Sequence, residues 1–176
     1  MIKVELISIG KFIRACNRVH RAVEREKHNL PMRQALDYVD DLRRNVISQK
    51  FASTYPPYNP RYKDWKSKYF AASGFHVMRS RMVSNLTVYR GRYKNWVYGG
   101  LPPGLMAPGS SWFGPPGTGK SPSVSMYAWV NEYGGNWGYG YHPPRPVWRP
   151  TLQEYKKDGA INRGRESLEV IRRSWQ

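Results

Sequence analysis

Phe113-Gly-Pro-Pro-Gly-Thr-Gly-Lys-Ser-Pro122, FGPPGTGKSP in one-letter code, contains the phosphate-cradling pattern G-x-x-x-x-G-K-[ST] from Gly114 to Ser121. Taken at face value it makes the chain a parallel α/β nucleotide-binding protein. The chemistry works only between a buried strand and a helix, where backbone N–H groups and the helix dipole face the phosphates. Upstream the chain reads Leu101-Pro-Pro-Gly-Leu-Met-Ala-Pro-Gly-Ser-Ser-Trp112, whose prolines cannot donate to a central ladder. Downstream, Ser121-Pro-Ser-Val-Ser125 is poor in helix formers. No run of four apolar residues leads directly into an Asp or Glu that would hold magnesium, and only 55 residues follow Ser121. Gly114, Gly119, Lys120 and Ser121 are therefore a chance match and imply no cofactor.

Rejecting the loop makes this stretch part of an arm. Of the 23 residues from Leu101 to Ser123, 15 are Pro, Gly or Ser, a composition that builds turns and linkers rather than a core. All 176 residues form one domain in this reading, with 40% apolar content. Its parts are a strand and helical region over 1–54, an aromatic and basic segment with a β-hairpin over 55–100, the arm over 101–123, and a helix, an extended Arg-Pro segment and a C-terminal helix over 124–176.

Ile2, Val4 and Leu6 alternate with Lys3 and Glu5 as a short strand. Phe12, Cys16, Val19 and Val23 then fall at helical spacing over about 11–28, with Lys11, Arg14, Arg18, Arg21 and Arg25 elsewhere on the wheel, on a face that either meets phosphate or is solvated. Asn29-Leu-Pro31 reads as a stop and restart, and Met32, Ala35, Leu36, Val39, Leu42 and Val46 mark a second helix to about Phe51. Asn85 to Arg90 and Asn95 to Gly99 form an antiparallel pair around Gly91. Gly134 to Tyr141 is turn-rich, His142 to Pro150 is extended, and Leu152, Tyr155, Leu168, Ile171 and Trp175 suit a C-terminal helix interrupted near Gly159 and Gly164.

Charge is the strongest global feature: 29 Lys and Arg against 12 Asp and Glu leave +17. Such an excess implies a polyanionic partner or an acidic protein surface. Residues 51–100 carry nine bases and one acid and are the most electropositive third. Within them, Tyr55 to Phe70 interleaves six aromatics with Arg61, Lys63, Lys66 and Lys68, which suits either base stacking or a protein interface. The charged N-terminus is neither a signal peptide nor a membrane anchor, so a soluble protein made in the cytosol is expected, and a single cysteine, Cys16, fits a reducing compartment. His20, His28, His76 and His142 make no metal-ligand spacing, and no serine sits in a nucleophile elbow. Glu132, among aromatics, reads as the partner of an arginine rather than a general acid. No enzyme is expected.

Tyr127-Ala-Trp-Val-Asn-Glu-Tyr-Gly-Gly135 followed by Pro143-Pro-Arg-Pro-Val-Trp-Arg-Pro150 resembles the C-terminal signature of tailed-phage tail-completion or neck proteins, Y-A-x-x-x-E-[FY]-G and then P-x-R-P-[FV]-[LW]-x-P. Tyr58 to Lys66, YNPRYKDWK, is similar to the Y-x-x-W-K segment of the phage virion-morphogenesis members. Ser73-Gly74 and the strand at Leu86-Thr-Val-Tyr89 look like a further region of that family. The resemblance spans about 55–155; Phe75-His-Val-Met78 replaces the usual Leu-Arg, and the arm is long.

The resemblance implies an α+β fold, a small antiparallel sheet packed with N-terminal and C-terminal helices and carrying a long Gly/Pro-rich loop, in a structural virion protein that forms a hexameric or dodecameric homo-oligomer ring at the head-proximal end of the tail. The ring completes the tail and joins it to the head around the DNA channel, between tail terminator or tube proteins and the head-side connector, with no membrane partner. Candidate neighbour contacts are Tyr58, Arg61, Trp65, Glu132, Arg145, Trp148 and Arg149; candidate DNA-channel residues are Arg79, Arg81, Arg90, Arg92 and Lys94. Arg145-Pro146 and Arg149-Pro150 would hold Trp148 between two guanidiniums in an extended segment. The alternative is a non-enzymatic nucleic-acid-binding protein with sequence-independent phosphate contacts.

Overall fold

The computed structural model describes residues 8–61, 63–64, 81–91, 96–102, 124–136 and 141–176. Helix α1 spans Ile9–Ile47 and a 3-10 turn follows at Ala52–Thr54; then come α2 (Arg81–Ser84), β1 (Thr87–Arg90), β2 (Val97–Gly100), α3 (Val124–Tyr133), β3 (Gly135–Asn136), β4 (Tyr141–His142), α4 (Trp148–Lys157) and α5 (Gly159–Arg173). Helices with two small antiparallel two-stranded sheets make the fold α+β. The strand expected at Ile2–Leu6, the arm beyond Pro102 and all of 65–80 lie outside the described residues.

The two helices expected in series are one. Ser8 caps α1, accepting from the Lys11 N–H, and the 39-residue helix runs through Pro31 to a left-handed Gln49 (φ 55°), where the Lys50 N–H bonds back to the Asn45 carbonyl at 3.1 Å. An interior proline removes one helix hydrogen bond and crowds the preceding turn, at a cost of roughly 3 kcal/mol. Local sequence therefore favours a break, and tertiary packing overrides it. Helix α5 lies antiparallel along α1 on both sides of Pro31. Phe12 meets Trp175 edge to face, Arg18 donates to the Ser174 carbonyl, Glu26 accepts from Ser167, the Gln34 amide donates to the Ala160 carbonyl, and Asp37 pairs with Arg163. Arg33 also reaches back two turns to Glu26, bridging the proline within α1 itself.

The C-terminal half of α1 holds the core. Val39, Leu42 and Val46 are buried with Leu86, Ala128 and Val147, and Tyr38, Val88, Leu101 and Trp148 pack around them. In the β1–β2 hairpin Thr87 pairs with Gly100, Val88 with Gly99 and Tyr89 with Tyr98, as the alternating pattern around Gly91 implies. Gly99 permits the hairpin to close on α1: a Cβ there would stand 3.0 Å from Val39 Cγ2 and 3.1 Å from the Ala35 carbonyl. Elsewhere the expected apolar positions are less covered: Phe12, Val23 and Leu36 on α1, Leu152 on α4 and Leu168 on α5 are all exposed.

Two further expectations are corrected. The extended segment ends at Val147, and Trp148, Arg149 and Pro150 form the first turn of α4, where a proline has no hydrogen bond to lose. The C-terminal helix breaks at Asp158 but continues through Gly164. The turn-rich Gly134–Tyr141 region also contains a pair, β3 with β4.

The Glu26–Arg33–Ser167 contact makes stability pH-dependent. Hydrogen bonding to Arg33 outweighs burial and holds the Glu26 carboxyl below the ordinary value of 4.5. A folded-state pKa below the unfolded one stabilises above the ordinary carboxylate range, and that contribution is lost as pH falls through the folded value. Denaturant melts between about pH 6 and pH 3 should show stability falling toward acid, with a shallower fall in Glu26→Gln. Pro31→Ala should raise stability by roughly 1–3 kcal/mol in the same melts, since α5 already holds the helix continuous.

Candidate functional site

Three segments distant in sequence meet beside the start of α4. Helix α3 ends at Tyr133, and Gly134 (φ 75°) turns the chain, its N–H bonding the Val130 carbonyl at 2.8 Å. This left-handed residue follows directly on Glu132 and Tyr133 and places the Glu132 side chain under the segment from Arg145 to Arg149. There the carboxylate, 3% exposed, accepts from the backbone N–H groups of Val147 (2.8 Å), Trp148 (3.0 Å) and Arg149 (2.9 Å). Those are orphan donors of a helix N-terminus, where the dipole also favours an anion. Arg149 Nε adds a bond to the same carboxylate at 3.2 Å.

The flanking strands of chain are tied to this clasp. The Arg145 N–H donates to the Asn131 carbonyl at 2.5 Å, and its guanidinium donates to the Pro56 and Pro57 carbonyls at 3.3 Å each. It also lies 4.4 Å from the centroid of the Tyr58 ring. The Tyr55 hydroxyl donates to the Pro146 carbonyl at 2.8 Å, and the Tyr38 hydroxyl to the Trp148 carbonyl at 3.3 Å. Burial, with the Glu132 charge adding to it, pushes the Tyr55 phenol up to about 12 and the Tyr38 phenol higher still. Both therefore remain protonated donors at neutral pH, as their bonds require.

The structure thus brings together Tyr58, Glu132, Arg145, Trp148 and Arg149. Glu132 and Arg145 are buried, at 3% exposure each, and bind groups of their own chain. The guanidiniums do not sandwich Trp148: Arg145 stacks on Tyr58 and Arg149 on Tyr133 at 4.9 Å, while Trp148 packs against the core and over Gly100. Arg61 and Arg90 are exposed. Trp65, Arg79, Arg92, Lys94 and the Gly114, Gly119, Lys120, Ser121 match lie outside the described residues, as does the side chain of Arg81.

Sequence reading placed an arginine opposite Glu132; the principal partners are backbone amides, which no side-chain pattern reports. It also passed over the surface this clasp presents. Trp129 and Tyr133, four residues apart on α3, lie with ring centroids 5.5 Å apart and planes tilted by 39° and are each 54% exposed, and the Arg149 guanidinium extends the row across Tyr133. Their i, i+4 spacing was the available signal. Among the described residues no three His, Cys, Asp or Glu side chains gather as a metal site, and no helix is long and apolar enough to cross a membrane. No protein-family model, curated protein or solved structure matches the chain.

Replacing Glu132 separates the backbone clasp from the ion pair. Glu132→Gln, with one acceptor oxygen and no charge, should lose about 2–4 kcal/mol in denaturant melts. Arg149→Gln, removing a guanidinium whose side chain is 56% exposed, should lose under about 1 kcal/mol. Equal losses would mean that the side-chain pair, rather than the helix N-terminus, is what Glu132 holds.

Proposed function

We propose that this chain is a structural, non-enzymatic virion protein of a tailed phage, a subunit of the neck ring that completes the tail and joins it to the head around the DNA channel. One observation carries the reading. The segments bearing the family resemblance, at Tyr58, at Glu132–Gly134 and at Arg145–Arg149, are spread over some ninety residues of sequence yet converge on one buried clasp. A motif whose residues fix each other's backbone is what a rigid assembly subunit requires.

The clasp also supports a contact surface. It fixes the row Trp129, Tyr133, Arg149 on the outside of the molecule, in the three residue types that anchor protein interfaces. In a ring this row faces the neighbouring subunit, and tail terminator, tube and head-side connector proteins are the further partners.

Electron microscopy of lysates from the source phage lacking this gene tests the proposal. DNA-filled heads beside unattached tails are the expected result, and normal infectious particles would overturn it. Native mass measurement should give a ring for the wild-type chain, and Trp129→Ala with Tyr133→Ala should shift it toward monomer without lowering Tm.

A further inference from the structure

The positive charges of α1 are sorted in a way that the helix itself does not need. Beyond Asn29 its arginines are neutralised: Arg33 pairs with Glu26, Arg43 with Asp40 and Arg44 with Asp41. Before Asn29 lie Lys11, Arg14, Arg18, Arg21 and Arg25, all exposed, and none forms an ion pair among the described residues. The nearby acids are turned elsewhere, Glu24 to Lys27 and Glu26 inward to Arg33 and Ser167.

Spacings of three, four, three and four residues put the five bases in one stripe, covering about 80° of the circumference over about 21 Å. Ala22 and Glu26, buried, mark the side turned to α5. Arg18 and Arg21 use only Nε, on the Ser174 and Asn17 carbonyls, so both fork nitrogens of each guanidinium stay available. Five unneutralised cations in a line raise one another's electrostatic energy, and a regularly spaced polyanion relieves that.

We propose that this stripe of α1 tracks the phosphate backbone of duplex DNA without reading sequence. Duplex DNA carries about one negative charge per 1.7 Å, so a dozen or so phosphates lie along the stripe's length. Four of the five bases are arginines, whose forks match phosphate oxygens. No apolar or aromatic residue interrupts the row, whereas a protein partner would be anchored by such residues. The inference rests on the DNA-channel part of the function proposed above, and it places the channel contact on α1 rather than on the electropositive middle third.

Binding of the full-length protein to short DNA duplexes of unrelated sequence, followed by fluorescence anisotropy against salt, tests it. The triple variant Arg14→Gln, Arg21→Gln, Arg25→Gln should keep its Tm and lower the slope of log K against log salt by close to three, at about 0.9 per phosphate contact. The matching lysine triple should retain the slope. The control triple Lys156→Gln, Lys157→Gln, Arg165→Gln removes equal charge from exposed positions on α4 and α5 that form no ion pair among the described residues, and should leave the slope nearly unchanged. Equal losses in the two glutamine triples, absence of duplex binding by the wild-type protein, or displacement of the duplex by polyglutamate at equal charge would overturn the proposal. Stripe-dependent binding together with normal particles from the gene deletion would sink the neck reading and leave the stripe standing. Detached tails together with equal losses in the two triples would do the reverse.

Discussion

One carboxylate organises the junction on which the C-terminal part of the fold depends. Glu132 accepts three consecutive backbone N–H groups at the start of α4, buried at Val147 and partly buried at Trp148 and Arg149, which the helix itself leaves without partners. Because the bonds go to main chain, they fix the direction in which α4 departs as well as its position. The neighbouring contacts follow from that placement: Arg145 reaches the carbonyls of 56 and 57, Tyr55 and Tyr38 cap the carbonyls of 146 and 148, and Val147 enters the core. The exposed row of Trp129, Tyr133 and Arg149 is the outer side of the same arrangement.

The long helix solves a different problem. From Val39 onward it is held by apolar burial in the core with Leu86, Ala128 and Val147, whereas on both sides of Pro31 it is held through α5, with buried Ala22 and largely polar contacts at Glu26, Arg33, Ser167, Asp37 and Arg163. Such contacts are directional, so they fix how α5 lies against α1 while adding less net stability than apolar burial. They also draw the carboxylates of this region inward or into local pairs. The consequence is a surface on which basic side chains stand unneutralised, and the charge excess of the chain becomes a local feature rather than an average.

The sequence by itself determined the elements that depend on neighbours along the chain. The period-two runs around Gly91 give the β1–β2 hairpin. The apolar spacing of Val39, Leu42 and Val46 marks the core face of α1, and the five bases at helical spacing mark a basic stripe on its N-terminal part. Glu132 and Arg145 were likewise visible as an acid and a base that a buried, aromatic setting would oblige to find partners. Only the tertiary structure decided that α1 continues through Pro31, that Pro150 begins a helix instead of prolonging an extended segment, and that Glu132 binds amides of residues 147–149. The physical reason is common to all three. A local preference worth a few kcal/mol at most is outweighed by contacts with residues a dozen to more than a hundred positions away, and those contacts exist only once the chain has folded.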